Sequence, residues 1–92
     1  CPEGVHIFSK SYCPFCKKTK ALFDSLGQSF CATELDLTAD GAAIQAVLLE
    51  MTKQRTVPSV FIKGTHVGGN DDTQRGLRDG SVQRMLAEKA SS

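Results

Sequence analysis

The chain has 92 residues, a net charge of +1, and 40% hydrophobic against 23% charged residues. That length holds one domain with no room for a second core, and such a domain buries about 60–65% of its unfolded surface. The near-neutral balance excludes the basic excess of a dedicated nucleic-acid binder, and no apolar run approaches the ~20 residues of a membrane span.

In chain order, residues 5–9 read as a short strand, and Cys13-Pro14-Phe15-Cys16 follows it directly. On a helix, positions three apart share a face, so the two sulfurs can approach each other. Pro14 fits the first turn, where its missing N–H costs nothing. Cys13 then stands at the helix N-terminus, where unpaired N–H groups and the dipole favour a thiolate. The spacing predicts a helix over 14–26 with Leu22, Phe23 and Leu26 on its apolar face and Gly27 at its cap. Residues 30–37 form a second strand. A second helix starts near Asp40, because Ile44, Val47, Leu48 and Met51 fall at i, i+3, i+4, i+7.

Val57 and residues 60–62 form a third strand, Lys63-Gly64 a tight turn, and residues 65–67 a short fourth strand. Gly68-Gly69 breaks the chain, and Asn70-Asp71-Asp72 supplies capping groups for a third helix. Gly76 lowers that helix's propensity and leaves its length open. Gly80 interrupts, and Val82, Met85 and Leu86 suggest a last amphipathic turn or two. The order β-α-β-α-β-β-α(-α) predicts an α/β domain with a four-stranded mixed sheet and helices on both faces. The C-x-x-C falls at the carboxyl end of the first strand, where open α/β sheets place ligand sites.

The four cysteines, Cys1, Cys13, Cys16 and Cys31, are too few to staple a secreted mini-domain. A bridge inside C-x-x-C closes a tiny loop and restrains the unfolded chain little, which favours redox over structural duty. Cys31 reads as a small buried or edge residue, and Cys1 carries no readable role. His6 and His66 are isolated and read as structural. No second C-x-x-C or H-x-x-x-H exists to make a zinc set, so no metal is expected.

Taken together, Cys13-Pro14-Phe15-Cys16, Thr56-Val57-Pro58 and Gly68-Gly69-Asn70-Asp71-Asp72 resemble the glutaredoxin family across nearly the whole chain. The likeness is to its dithiol class, whose usual motif has Tyr where Phe15 stands. It implies a thioredoxin-like fold and a glutathione-dependent thiol–disulfide oxidoreductase, with Cys13 as nucleophile and Cys16 as the more buried resolving thiol. By the same resemblance Pro58 is cis and frees the Val57 backbone to pair with a cysteinyl peptide. Gly69, Asp71 and Asp72 would cradle the γ-glutamyl end of glutathione. Lys10, Gln45 and Arg55 would lie near its glycyl carboxylate, with Phe15 and Thr56 completing the site. Lys17, Lys18 and Lys20 read as a solvated, anion-steering helix face. Lys53 stands where the family commonly has glycine, so the turn after the second helix is expected to differ.

An acidic thiol does not gain by ionisation alone. A thiol of pKa ~8.5 is about 3% ionised at pH 7, so full ionisation gains roughly 30-fold. Lowering its pKa by ~4 units with a Brønsted slope of ~0.45 costs roughly 60-fold in nucleophilicity. The benefit comes when that sulfur leaves, as a second thiol attacks the mixed disulfide. The expected partners are glutathione and glutathionylated or disulfide-containing proteins, with no nucleic acid and no membrane. The chain is expected to be monomeric and cytoplasmic, or organellar if a targeting peptide once preceded Cys1. Two rivals remain: a dimeric carrier of a glutathione-ligated iron–sulfur cluster, and a thioredoxin-like protein served by a reductase. Pro14 and Cys16 count against the first; Pro14-Phe15 and Asp71-Asp72 count against the second.

Overall fold

The computed structural model describes residues 4–87. Cys1, whose role the sequence leaves unread, lies outside them. Eight elements follow in order: β1 (Val5–Ser9), α1 (Pro14–Ser25), β2 (Cys31–Glu34), α2 (Gly41–Thr52), β3 (Ser59–Ile62), β4 (Thr65–Gly68), α3 (Asn70–Asp79) and α4 (Ser81–Ala87). The strands form one sheet in the order β2-β1-β3-β4. β1 runs parallel to β2 and antiparallel to β3, and β3 pairs antiparallel with β4. This is the mixed α/β sheet that the pattern predicts. β2 is shorter than expected: the chain leaves the ladder at Leu35 and turns, with the Leu37 N–H donating to Glu34 O at 3.0 Å.

Strand alternation sorts the side chains onto two faces. Val5, Ile7, Val60 and Ile62 join Phe23 of α1 and Val82 of α4 in one buried cluster, with Phe30, Val67, Leu77, Met85 and Leu86 packed against it. His6, Phe8 and Phe61 face the other way, toward α2. Phe23 alone of the α1 stripe is fully buried; Leu26 ends the helix half-exposed. Gly76 is no weakness in α3, because a Cβ there would stand 2.4 Å from Val82 Cγ2. The missing side chain is what lets α4 pack against α3.

The α2 stripe departs from expectation. Leu48 is buried, but Val47 is 52% and Met51 67% exposed. They line an open apolar groove of about 830 Å³ between α2 and the sheet, together with Phe8, Ile44 and Phe61. The helix therefore stands off from the strands instead of closing on them. No helix among the described residues is long and apolar enough to cross a membrane.

Lys53 ends α2 in the left-handed conformation, φ 62°, and its N–H donates to Leu49 O at 2.8 Å. Glycine adopts that φ without steric cost and a Cβ does not. We expect Lys53→Gly to raise stability by about 0.5–1 kcal/mol. The check is a higher urea midpoint at unchanged slope; a lower midpoint would mean the lysine side chain contributes more than its backbone costs.

Candidate functional site

β1 ends at Ser9, and the following turn delivers Cys13 to the start of α1, where its N–H donates to Lys10 O at 3.0 Å. Cys13 is the N-cap, with extended backbone, and Pro14 occupies the first helical turn as predicted. Its sulfur takes the place of the usual capping oxygen: the Cys16 N–H donates to Cys13 Sγ at 3.2 Å. On its other side Cys13 Sγ lies 3.8 Å from the carbonyl oxygen of Val57. The Val57–Pro58 peptide is cis, as the resemblance implies.

The two thiols are free but unequal. Cys13 is 9% exposed, whereas Cys16 is wholly buried. Burial pushes the Cys16 thiol up to about 12, reinforced by its hydrogen bond and proximity to Cys13. The backbone of Lys10 and the charge of Lys20 oppose that rise without overcoming it. Cys16 is therefore a neutral thiol at neutral pH. Cys31 sits half-buried on the edge strand β2, as an edge residue should, and its sulfur is disulfide-bonded.

A cleft of about 550 Å³ opens beside the cysteines, lined by Phe15, Thr56, Val57, Pro58, Gly69, Asp71 and Asp72 among others. Seven of the expected binding residues thus meet in one place. They come from α1, from the loop between α2 and β3, and from the start of α3. Gly68 has φ 129°, and a Cβ on it would stand 2.2 Å from Asp72 Oδ2. Only glycine lets β4 turn this closely into α3. The Asp72 carboxylate reaches back to the Gly69 N–H at 3.4 Å, a long capping contact. It also pairs with Arg75 at 3.4 Å, a solvent-exposed bond of little energetic weight.

Lys10, Gln45 and Arg55 do not line this cleft. Gln45 instead donates from Nε2 to the Arg55 carbonyl at 3.3 Å, and Arg55 borders a separate shallow depression with Glu50 and Lys53. Lys20 is not a solvated lysine. It pairs with Glu34, each about a quarter exposed, and Ser9 donates to the same carboxylate. Burial opposes ionisation of Glu34, but the Lys20 and Ser9 hydrogen bonds prevail and hold it below the usual carboxylate range. Lys18 Nζ stands 5.3 Å over the Phe15 ring.

Some residues were not singled out by sequence. Thr19, fully buried, places its hydroxyl 3.0 Å from both Phe15 O and Asn70 Oδ1, tying the cysteine helix to the start of α3. Gln54 and His66 line the cleft and bond to each other at 3.0 Å. The available signal for Gln54 was its place just ahead of Thr56-Val57-Pro58. His66 carried none, because only the sheet register brings it there. Among the described residues no group of three or more His, Cys, Asp or Glu could hold a metal ion.

The raised Cys16 pKa makes a stability prediction. The folded protein holds this proton more tightly than the unfolded chain, whose thiol titrates near 9.0. Stability from the buried neutral thiol is therefore complete below that value and is lost as pH rises toward about 12. Cys16→Ala should remove part of the alkaline fall in urea-unfolding free energy between about pH 8.5 and 11. Parallel pH profiles for variant and parent would contradict the assignment.

The Glutaredoxin family model matches residues 5–67. Glutaredoxin-C6 of Oryza sativa subsp. japonica is 51% identical over 84 residues, covering 91% of this chain and 75% of the relative. Glutaredoxin-C2 of Arabidopsis thaliana is 50% identical over 86 residues, covering 94% and 78%. The crystal structure of a buckwheat glutaredoxin–glutathione complex superposes with a TM-score of 0.88 at 51% identity, covering 90% of this chain and 76% of that one. With the C-x-x-C at a helix start beside a cis proline on a mixed four-stranded sheet, these likenesses establish that the chain belongs to the glutaredoxin family.

Proposed function

We propose that this glutathione-dependent thiol–disulfide oxidoreductase works through Cys13 as nucleophile and Cys16 as resolving thiol. The observation that carries the reading is the asymmetry of the pair. Cys13 Sγ stands at the helix start, 3.8 Å from the carbonyl of the cleft residue Val57 and with the Cys16 N–H at 3.2 Å, while Cys16 is buried and neutral. The attacking species in thiol–disulfide exchange is the thiolate.

On a glutathionylated substrate, the Cys13 thiolate attacks the glutathionyl sulfur. The substrate S–S bond breaks, a Cys13–glutathione disulfide forms, and the substrate thiolate leaves and takes a proton. A second glutathione thiolate then attacks the glutathionyl sulfur, releasing oxidised glutathione and restoring the Cys13 thiolate. One free glutathione is consumed per cycle as the attacker, and the other half of the released disulfide is the glutathionyl group that came from the substrate.

On a protein disulfide, Cys13 instead forms a mixed disulfide with the protein. Cys16 gives up its proton and attacks Cys13 Sγ, freeing the reduced protein and closing the Cys13–Cys16 bond. Its high pKa keeps Cys16 silent until the leaving thiolate can accept that proton. The cleft supports a peptide-like ligand with charged ends. The Val57 backbone offers strand-like pairing beside Cys13. The first turn of α3 offers N–H groups to a carboxylate, and the Asp71 and Asp72 side chains offer acceptors to an ammonium. A γ-glutamyl α-amino acid end carries both charges, which favours glutathione over a simple anion. The likeness to a glutathione-bound relative supports the same ligand.

Cys13→Ser should lower turnover of a glutathionylated peptide at least about 10³-fold, because an alkoxide nucleophile is unavailable at neutral pH. Cys16→Ser should keep glutathione-driven turnover of that peptide while losing reduction of a protein disulfide. A glutathione-coupled peptide assay reads both. Near-normal activity of Cys13→Ser would overturn the nucleophile assignment.

A further inference from the structure

Gln54 leaves α2 one residue beyond the Lys53 cap, and its half-buried side chain lines the cleft where the loop, β4 and the start of α3 meet. Its amide nitrogen donates to the carbonyl oxygens of Thr56 and Pro58, each at 2.7 Å. Its amide oxygen lies 3.0 Å from His66 Nε2. A Cβ added at Gly69 would stand 3.8 Å from the same amide nitrogen, so the group also abuts the start of α3. The amide orientation is fixed by chemistry: turned over, its oxygen would face two carbonyl oxygens that cannot donate. With that oxygen an acceptor, His66 Nε2 must carry a proton.

The two carbonyls held by Gln54 flank Val57 on either side. The Val57 carbonyl between them points to Cys13 Sγ instead, 3.8 Å away. We propose that Gln54, with its amide oriented by His66, is a positioning residue that aims the Val57 backbone at the cysteinyl part of the glutathionyl substrate. This rests on the reading of the cleft as the glutathione site. Both its donors and the acceptor facing β4 are used, so the side chain has one arrangement that serves the loop, β4 and the α3 start together. Burial lowers the His66 pKa while the Asp72 carboxylate opposes it. The Nε2–H is present in either charge state, so the clamp persists through that titration.

The test is a double-mutant cycle on kcat/KM for a glutathionylated peptide, with iodoacetamide alkylation of Cys13 as the control. Gln54→Leu keeps the size and loses both donors; kcat/KM should fall about tenfold, while the Cys13 alkylation rate stays within about twofold. His66→Phe should cost about threefold alone and nothing further on top of Gln54→Leu, because His66 acts through the amide. His66→Gln places an N–H near the same point and should restore most of the loss. Several results overturn the proposal: kcat/KM of Gln54→Leu within about twofold of the parent, a parallel fall in alkylation, or full additivity with His66→Phe. Should Gln54→Leu fail to fold, equal kcat/KM for His66→Phe and His66→Gln overturns it. A parent that shows no glutathione-driven turnover would instead remove the glutathione reading itself.

Discussion

The Cys16 N–H donated to Cys13 Sγ is the contact on which the rest of the site depends. It exists because a helix must begin with unpaired N–H groups and because a sulfur stands at the capping position. Pro14 makes that start definite: it fits the first turn and gives up a donor the helix would not have used. The same geometry puts Cys16 one turn on, facing inward and wholly buried. One local motif thus separates two chemically identical groups into a partly exposed thiol at the helix cap and a wholly buried, protonated one.

That local motif becomes a site only through long-range packing. The cleft draws on three segments far apart in the chain, and polar contacts hold these segments and the strands beneath them in register. Thr19 links the cysteine helix to Asn70 at the start of α3. Glu34, held by Ser9 and Lys20, fastens the end of β2 to β1 and α1. Buried and partly buried hydrogen bonds of this kind add modest net stability but are costly to leave half-made, so they specify one arrangement. The core on one sheet face is closed by α1, α3 and α4, whereas α2 leaves an open apolar groove on the other. The cysteine pair lies away from that larger groove, next to a smaller cleft whose walls carry polar groups.

Much of this was legible in the residues. The strand, C-x-x-C and helix at the start are local signals, and proline and glycine fix their boundaries. The hairpin around Lys63-Gly64 and the break at Gly68-Gly69 are equally local, and each appears where the pattern puts it. Lys53 was recognised as unusual, and it does pay for the left-handed turn that glycine would take freely. The α2 stripe misled, because periodicity reports which face is apolar and not how closely that face docks. Lys20 misled because its partner Glu34 belongs to another strand. Gln54 and His66 escaped for the same reason: their meeting is set by sheet register, which no short window contains.

The central claim is that the fold makes Cys13 reactive and keeps Cys16 silent. Limited labelling of the reduced, folded protein at pH 7 with a small alkylating agent, followed by mass mapping, tests it directly. The account predicts label on Cys13, with Cys16 unmodified until the chain is unfolded. Comparable labelling of both cysteines in the folded protein, or preference for Cys16, would contradict it.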